Sequence, residues 1–447
     1  MFEKLSKLVT SHGKLYAMLK SALQVFAIRL LGAAATYGSM VLIARYLGSF
    51  NFGVYAYVLV IVMLLGLAFS LGFNSSGLRF VTSYLARKKI RRLSGFLNQT
   101  FRLVLTFSVM GSLLSAGLVF AFRSVIEPYY VVPLLVGLLC VPVYTIMNQC
   151  EATARAFGWV HVAYIPNYIL RPVLLTGFVG GLTWLGNTVD AVSALWAMCA
   201  ATALAVIGQG LLIYVGTRKD FAGIKPAFHT RHWMTVSLSF FTIDGFRMLL
   251  DNTDVLLIGR FLDPHSVAIY YAVIRTSGLI AFVSFSVIAL AVPKFAELHS
   301  AGKQQELQTF VATIIQLMFW PSALAAIVLT ICGPYLLSLF GADFASGYPT
   351  MLIVLFGLVL RAATLPVEHL LNMSGHHRDT LRVYGVAALV NIGLNLWLIP
   401  AFGIIGAATA TYVAMIGGNI WLYVLVRKRL GIDASLFAFW NKPQRRD

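Results

Sequence analysis

Leu42-Ile43-Ala44-Arg45-Tyr46-Leu47, with Tyr55 eight residues on, returns as Leu257-Ile258-Gly259-Arg260-Phe261-Leu262, with Tyr270 eight residues on. The register is constant at 215 residues, and Leu, Ile, Arg, Leu and Tyr are identical in the two copies. Each copy marks the turn between two long apolar segments. Counting outward from these turns gives twelve such segments, near 22–46, 53–84, 95–122, 128–151, 161–185, 190–215, 234–259, 267–293, 308–333, 348–373, 380–400 and 404–427. Each is long enough to cross a hydrocarbon core of roughly 30 Å. The second and eighth exceed that length and predict extra turns or tilt. The expected fold is therefore an all-α polytopic membrane protein of about twelve transmembrane helices. Composition agrees: 59% of the 447 residues are hydrophobic and 11% charged, against roughly 25% charged in a soluble domain.

The polar connection Thr217–Trp233 divides the helices six and six. It predicts an N-terminal lobe over 1–220 and a C-terminal lobe, with a basic tail, over 221–447. Six is even, so both halves enter the membrane from the same side. Such repeats occur in transporters that rock two lobes around a central site. The first apolar segment is too long for a cleavable signal and is interrupted by Arg29. Ahead of it, Phe2, Leu5, Leu8, Leu15 and Leu19 share one side of a helix, an interfacial anchor. The tail Leu436–Trp440 has a similar surface-seeking character.

The net charge of +18 reads as topology and anionic-lipid contact, not nucleic-acid binding. Alternate connections carry 24 basic residues, among them all twelve lysines, while the opposite connections carry only Arg45, Arg123 and Arg260. By the positive-inside rule both termini are expected in the cytoplasm. Four cysteines, Cys140, Cys150, Cys199 and Cys332, have no paired spacing, and nine histidines form no ligand pattern, so no metal and no cofactor is expected. No Gly-rich Lys-Ser/Thr nucleotide motif is present.

Seven arginines remain inside the spans: Arg29, Arg79, Arg102, Arg171, Arg247, Arg275 and Arg361. A cation in hydrocarbon is costly, so such residues usually face a polar cavity. Guanidinium also grips phosphate through a planar fork that lysine lacks. Arg79 and Arg102 lie near helix ends and can snorkel to the interface. Arg29 lies roughly 10 Å inside its helix by helical rise, and Arg171, Arg247, Arg275 and Arg361 lie deeper. These five are the candidate anion-binding residues. The seventh segment adds Asp244, Asp251 and Asp254, spaced with Arg247 along one stripe of a helix. Internal pairs Asp244–Arg247 and Arg247–Asp251 are at contact spacing. Three acids against one arginine leave acid in excess, making the stripe a candidate for proton or cation coupling. Glu151 and Glu368 sit at helix ends, with Arg155 and Arg378 as expected partners.

The last two spans hold Gly375, Asn391, Asn395, Leu398-Ile399-Pro400, Gly403-Ile404 and Gly406-Ala407-Ala408-Thr409-Ala410-Thr411. The first two hold Arg45, Leu47-Gly48, Phe52-Gly53, Tyr55 and Leu71-Gly72. This pattern resembles the bacterial oligosaccharide flippases of the polysaccharide transporter family, which serve O-antigen and exopolysaccharide synthesis. Their superfamily also holds multidrug and toxin extrusion antiporters and lipid II flippases. The inner repeat departs from the pattern, since Asp263-Pro264 and Ala268 replace the first copy's glycines. The signature residues themselves read as structural: Pro400 ends a helix, Gly403 permits a tight turn, and the Gly-Ala-Ala run permits close packing.

The resemblance implies two six-helix bundles around a central cavity. It also implies a polyprenyl-pyrophosphate-linked oligosaccharide moved from the inner to the outer leaflet of the cytoplasmic membrane. Its implied partners are that lipid, membrane lipids, the glycan polymerase and the chain-length machinery, with a coupling proton or sodium ion. Lipid II flippases usually have two further C-terminal helices, which disfavours that substrate. A multidrug antiporter would favour carboxylates and aromatics over arginines. A membrane polymerase or glycosyltransferase would need catalytic residues on a large external loop, whereas Asp190, Asp263 and Asp343 sit on very short ones. The expectation is a transporter and not an enzyme.

Overall fold

The computed structural model describes the backbone of residues 2–436 and the side chains from Gln24 on, apart from seven positions between 282 and 293 and His377. The proposed amphipathic face over 2–20 therefore lies outside the described side chains, and Trp440 outside the described residues. The described chain is helical, and eight of its helices are long and apolar enough to cross a membrane. Two of these carry two segments each. Helix α1 (Phe2–Phe69) changes direction at Gly48, where φ is 70° and ψ 168°. Helix α13 (His377–Leu430) does so at Gly403, where φ is 59° and ψ −139°. Glycine reaches these angles without the Cβ clash that bars other residues.

The two over-long segments are broken helices. The second stops at Phe69 and restarts as α2 (Phe73–Ala86), after positive φ at Leu71 and Gly72. The eighth is α9 (Pro264–Ser277) and α10 (Ala281–Ser300), joined by a 3₁₀ turn at Gly278–Ile280. The fifth is continuous, but a π-helical turn at Pro166–Leu170 separates Val160–Ile165 from Arg171–Trp184. The charged seventh segment is one helix, α8 (Thr230–Phe261).

The chain forms two compact units. Unit 1 comprises the residues up to Tyr46 together with Leu65–Phe241; unit 2 comprises Leu47–Leu64 together with the chain from Thr242 onward. In unit 1 the connection before α8 is packed down. Ala227 N–H donates to the Arg91 carbonyl at 2.9 Å, and Trp233 is fully buried with its Nε1 donating to the Tyr84 hydroxyl at 2.9 Å. A Cβ on Gly72 would lie 2.1 Å from the Ser237 carbonyl oxygen, so only glycine allows α2 to start so near α8.

In unit 2, Phe52 is fully buried between Tyr271, Phe340 and Phe344, with ring centroids 6.1–6.3 Å away. A Cβ on Gly53 would lie 1.7 Å from the Pro264 carbonyl oxygen. At the other end of the unit, Phe295, Val311, Ile315, Met318, Leu371, Val383 and Val426 form an apolar core with Ile432 and Ala434 of the tail. Large apolar side chains are exposed along the long helices, as at Leu113, Leu114 and Phe120 on α3 (Ile90–Ala121).

Asp190 and Asp263 have local duties. Each accepts from the backbone N–H three residues on, Ser193 at 2.8 Å and Ser266 at 2.7 Å, and so caps a helix N-terminus. Asp343 accepts from Ser49 at 3.4 Å.

Candidate functional site

Unit 2 contains a cavity of about 360 Å³. Arg247, Asp251 and Asp254 reach it from α8, Arg275 from α9, Arg361 from α12 (Tyr348–Met373), and Thr411 and Tyr412 from α13. Spacings of four and three residues along α8 bring Arg247, Asp251 and Asp254 to the same wall. Asp244 is not among the lining residues.

The three arginines differ in their partners. Arg361 faces Asp251 at 3.6 Å and Arg247 faces Glu368 at 3.7 Å. These are single, long contacts, unlike the bidentate geometry of a tight Arg–carboxylate pair. Arg275 has no carboxylate contact among the described residues. Its guanidinium donates to the Tyr271 hydroxyl at 2.9 Å, lies 4.6 Å from that ring's centre, and leaves a buried Nε without a hydrogen-bond acceptor. Glu368 occupies a much smaller recess, about 20 Å³, that shares Arg247, Asp251 and Arg361 with the main cavity. Its carboxylate accepts a short hydrogen bond from Tyr384.

Asp254 is the deeply buried acid, 2% exposed. It accepts from the Tyr270 hydroxyl, from the Val255 N–H at 2.8 Å and from the Thr411 hydroxyl at 3.5 Å. Asn391 donates to Thr411 at 3.0 Å, and Asn395 donates to the Asn391 carbonyl at 2.9 Å. The side-chain oxygens of both asparagines are buried without a donor. Buried oxygens in this condition mark a place where a proton or a small cation would find acceptors.

Unit 1 holds the other two candidate arginines on aromatic rings. Arg29 lies 4.9 Å from the centre of Tyr164, and Arg171 lies 5.8 Å from that of Tyr144, just past the π-helical turn. Arg79 and Arg102 are exposed.

A family model described as polysaccharide biosynthesis protein matches residues 18–299. The chain belongs to this family. A second model, MatE, matches residues 246–397. A probable low-salt glycan biosynthesis flippase of Haloferax volcanii is 23% identical over 249 residues, covering 54% of this chain and 50% of the relative. A probable flippase of the same organism, AglR, is 26% identical over 180 residues, covering 39% and 37%. The chain thus spans half or less of the curated relatives it matches. Among solved structures, an inward-facing multidrug resistance MATE transporter of the MOP superfamily superposes with a TM-score of 0.72 at 14% identity, covering 92% of this chain and 98% of that one. The lipid II flippase MurJ, in an inward closed conformation, gives 0.69 at 15% identity, covering 91% and 87%. The fold is therefore the all-helical transporter fold these proteins share.

For this polysaccharide biosynthesis family member, the structure corrects two expected pairings. Arg247 pairs with Glu368 on α12, not with its own-helix neighbour Asp251, and Asp251 pairs with Arg361. A contact across helices puts the carboxylate where the guanidinium points, whereas helical spacing only brings two Cβ atoms near each other. Glu368 accordingly does not pair with Arg378, which is exposed. Glu151 does meet Arg155, at 3.9 Å, and also accepts from Asn167 at 2.7 Å. Sequence reasoning missed Glu368 and Tyr384, and gave Asn391, Asn395 and Thr411 a purely structural duty. Their one-turn spacing was visible; that this face meets Asp254 was not.

Proposed function

We propose that this chain moves a polyprenyl-pyrophosphate-linked oligosaccharide from the inner to the outer leaflet of the cytoplasmic membrane during polysaccharide assembly. One observation carries the reading: three arginines from three helices line a single cavity, and one of them has no carboxylate partner among the described residues. Arg247, Arg275 and Arg361 are assigned to the pyrophosphate, and Arg29 and Arg171 are taken as candidate anion-binding residues within unit 1. Asp254, Asp251 and Asp244 are assigned to coupling by a proton or sodium ion. Asp254 takes the leading role because it is buried and linked through the Thr411 hydroxyl to Asn391. The termini are placed in the cytoplasm, and the polymerase and chain-length machinery are the expected neighbours. The family match and the flippases among the relatives support this reading.

The test is glycan export in a strain lacking this protein and complemented with variants, with membrane levels measured alongside. Alanine at Arg171, Arg247, Arg275 or Arg361 should lower export by tenfold or more at normal protein levels, since one charge-assisted contact is worth about 1.5–3 kcal/mol. Lysine should restore only part of it. Asp254→Asn should flatten the pH or sodium dependence of transport in reconstituted vesicles. Full export by all four alanine variants would remove the anion-cavity mechanism. The MatE match and the acids in the cavity favour a second reading, an ion-coupled antiporter of organic cations. Ion-driven efflux of such cations, with glycan export untouched, would select it.

A further inference from the structure

The three arginines of the unit 2 cavity are not equivalent, and the difference has a use. Arg275 presents an unpartnered Nε beside Tyr271. Arg361 and Arg247 each spend their guanidinium on a carboxylate from another helix, through single contacts at 3.6 and 3.7 Å. Neither contact is close enough for a hydrogen bond, and the side chains of Arg361, Arg247 and Asp251 are 26%, 35% and 41% exposed. The Arg361–Asp251 pair is loose and partly solvated on both sides, a kind that contributes little and exchanges readily; in the Arg247–Glu368 pair the acid is buried, 8% exposed, and the arginine is the solvated partner. The carboxylates are held independently of the arginines in one case: Tyr384 anchors Glu368 inside the smaller recess. Arg247 and Arg361 border both that recess and the main cavity.

We propose that Asp251 and Glu368 are internal substitutes for the substrate's phosphate oxygens, competing with a bound pyrophosphate for Arg361 and Arg247, while Arg275 is the anchor that engages the anion first. The proposal rests on the anion-carrying reading of the cavity and adds a regulation to it. A carboxylate that competes for the fork weakens binding and hastens release, which a transporter needs as much as capture. Removing the competitor should therefore tighten binding and slow turnover, the opposite of what loss of an ordinary binding residue does.

The experiment is calorimetric titration of inorganic pyrophosphate into the full-length protein in nanodiscs. Asp251→Asn and Glu368→Gln should each bind pyrophosphate about fivefold more tightly than the unaltered protein, the scale of one partly exposed ion pair. Asp251→Glu should restore ordinary affinity, and Arg361→Ala should cancel the gain from Asp251→Asn. Arg275→Ala should weaken binding in every background. The two carboxylates lie on different helices, so misfolding of one variant leaves the other to decide. If both amide variants bind no more tightly than the unaltered protein while Arg275→Ala still weakens binding, the competition is absent and the anion cavity stands. If pyrophosphate binds none of the proteins, the anion reading itself falls and takes this inference with it.

Discussion

At the scale of single residues, close backbone approach decides more than side-chain chemistry. Gly53 is the clearest case, because the atom its Cβ would strike is the Pro264 carbonyl oxygen, not the end of a flexible side chain. Gly53→Ala must displace one backbone from the other. Overpacking of this kind costs about 1–3 kcal/mol, and the apparent melting temperature of the purified protein should fall by several degrees. Gly38 provides the contrast, since a Cβ there meets nothing within 4 Å. Gly38→Ala should leave the melting temperature unchanged or raise it slightly, because alanine favours the helix by about 1 kcal/mol. Equal losses for the two variants would show that the Gly53 contact is not the cause.

At the scale of elements, the segment after α13 is bound rather than trailing. Gln304, Gln308 and Gln316, on one face of α11 (Gln304–Ser338), donate to the carbonyls of Leu430, Asp433 and Leu436. Gln308 also accepts from the Asp433 N–H at 2.7 Å, so one glutamine satisfies both backbone groups of that residue. Ile432 and Ala434 are buried against the unit 2 core. Burial alone would raise the Asp433 carboxyl, but donors from Ser435 and Tyr423 and the charge of Arg427 outweigh it and hold it below the usual range. A lowered folded pKa gives stability that is present above the unfolded value, about 3.9, and lost as pH falls through the folded one. Pepsin cleavage of the tail should therefore accelerate as the pH drops below about 4. Asp433→Asn should flatten that acceleration, and Gln308→Ala should speed cleavage at every pH. A tail equally resistant in all three proteins would mean that the glutamine contacts do not hold it.

At the scale of the whole molecule, α1 and α8 each contribute residues to both compact units. The proposed sidedness rests on charge: 24 basic residues on one set of connections against three on the other. In a background without Cys140, Cys150, Cys199 and Cys332, single cysteines placed within 186–189 or 341–347 should react with an impermeant reagent added outside intact cells. Those within 87–92 or 218–231 should not. Labelling at 218–231 from outside would overturn both the placement of the termini and the count of crossings.

Span number, the basic-side bias and the paired turns at Arg45 and Arg260 could be read from the sequence because hydropathy and charge act locally along the chain. The five arginines and the acidic stripe stood out for the same reason: an ion in an apolar run is conspicuous wherever it folds. Which of them meet is a tertiary matter. Arg247, Arg275 and Arg361 share a cavity because α8, α9 and α12 bring them there, and Arg247 finds Glu368 only because of how α8 and α12 pack. The asparagines of α13 looked like packing residues until their helix was seen beside Asp254. Periodicity fixes which residues lie on one face of a helix. Only the packing of helices fixes what that face touches, and ion pairs and buried polar contacts are decided over a few ångströms.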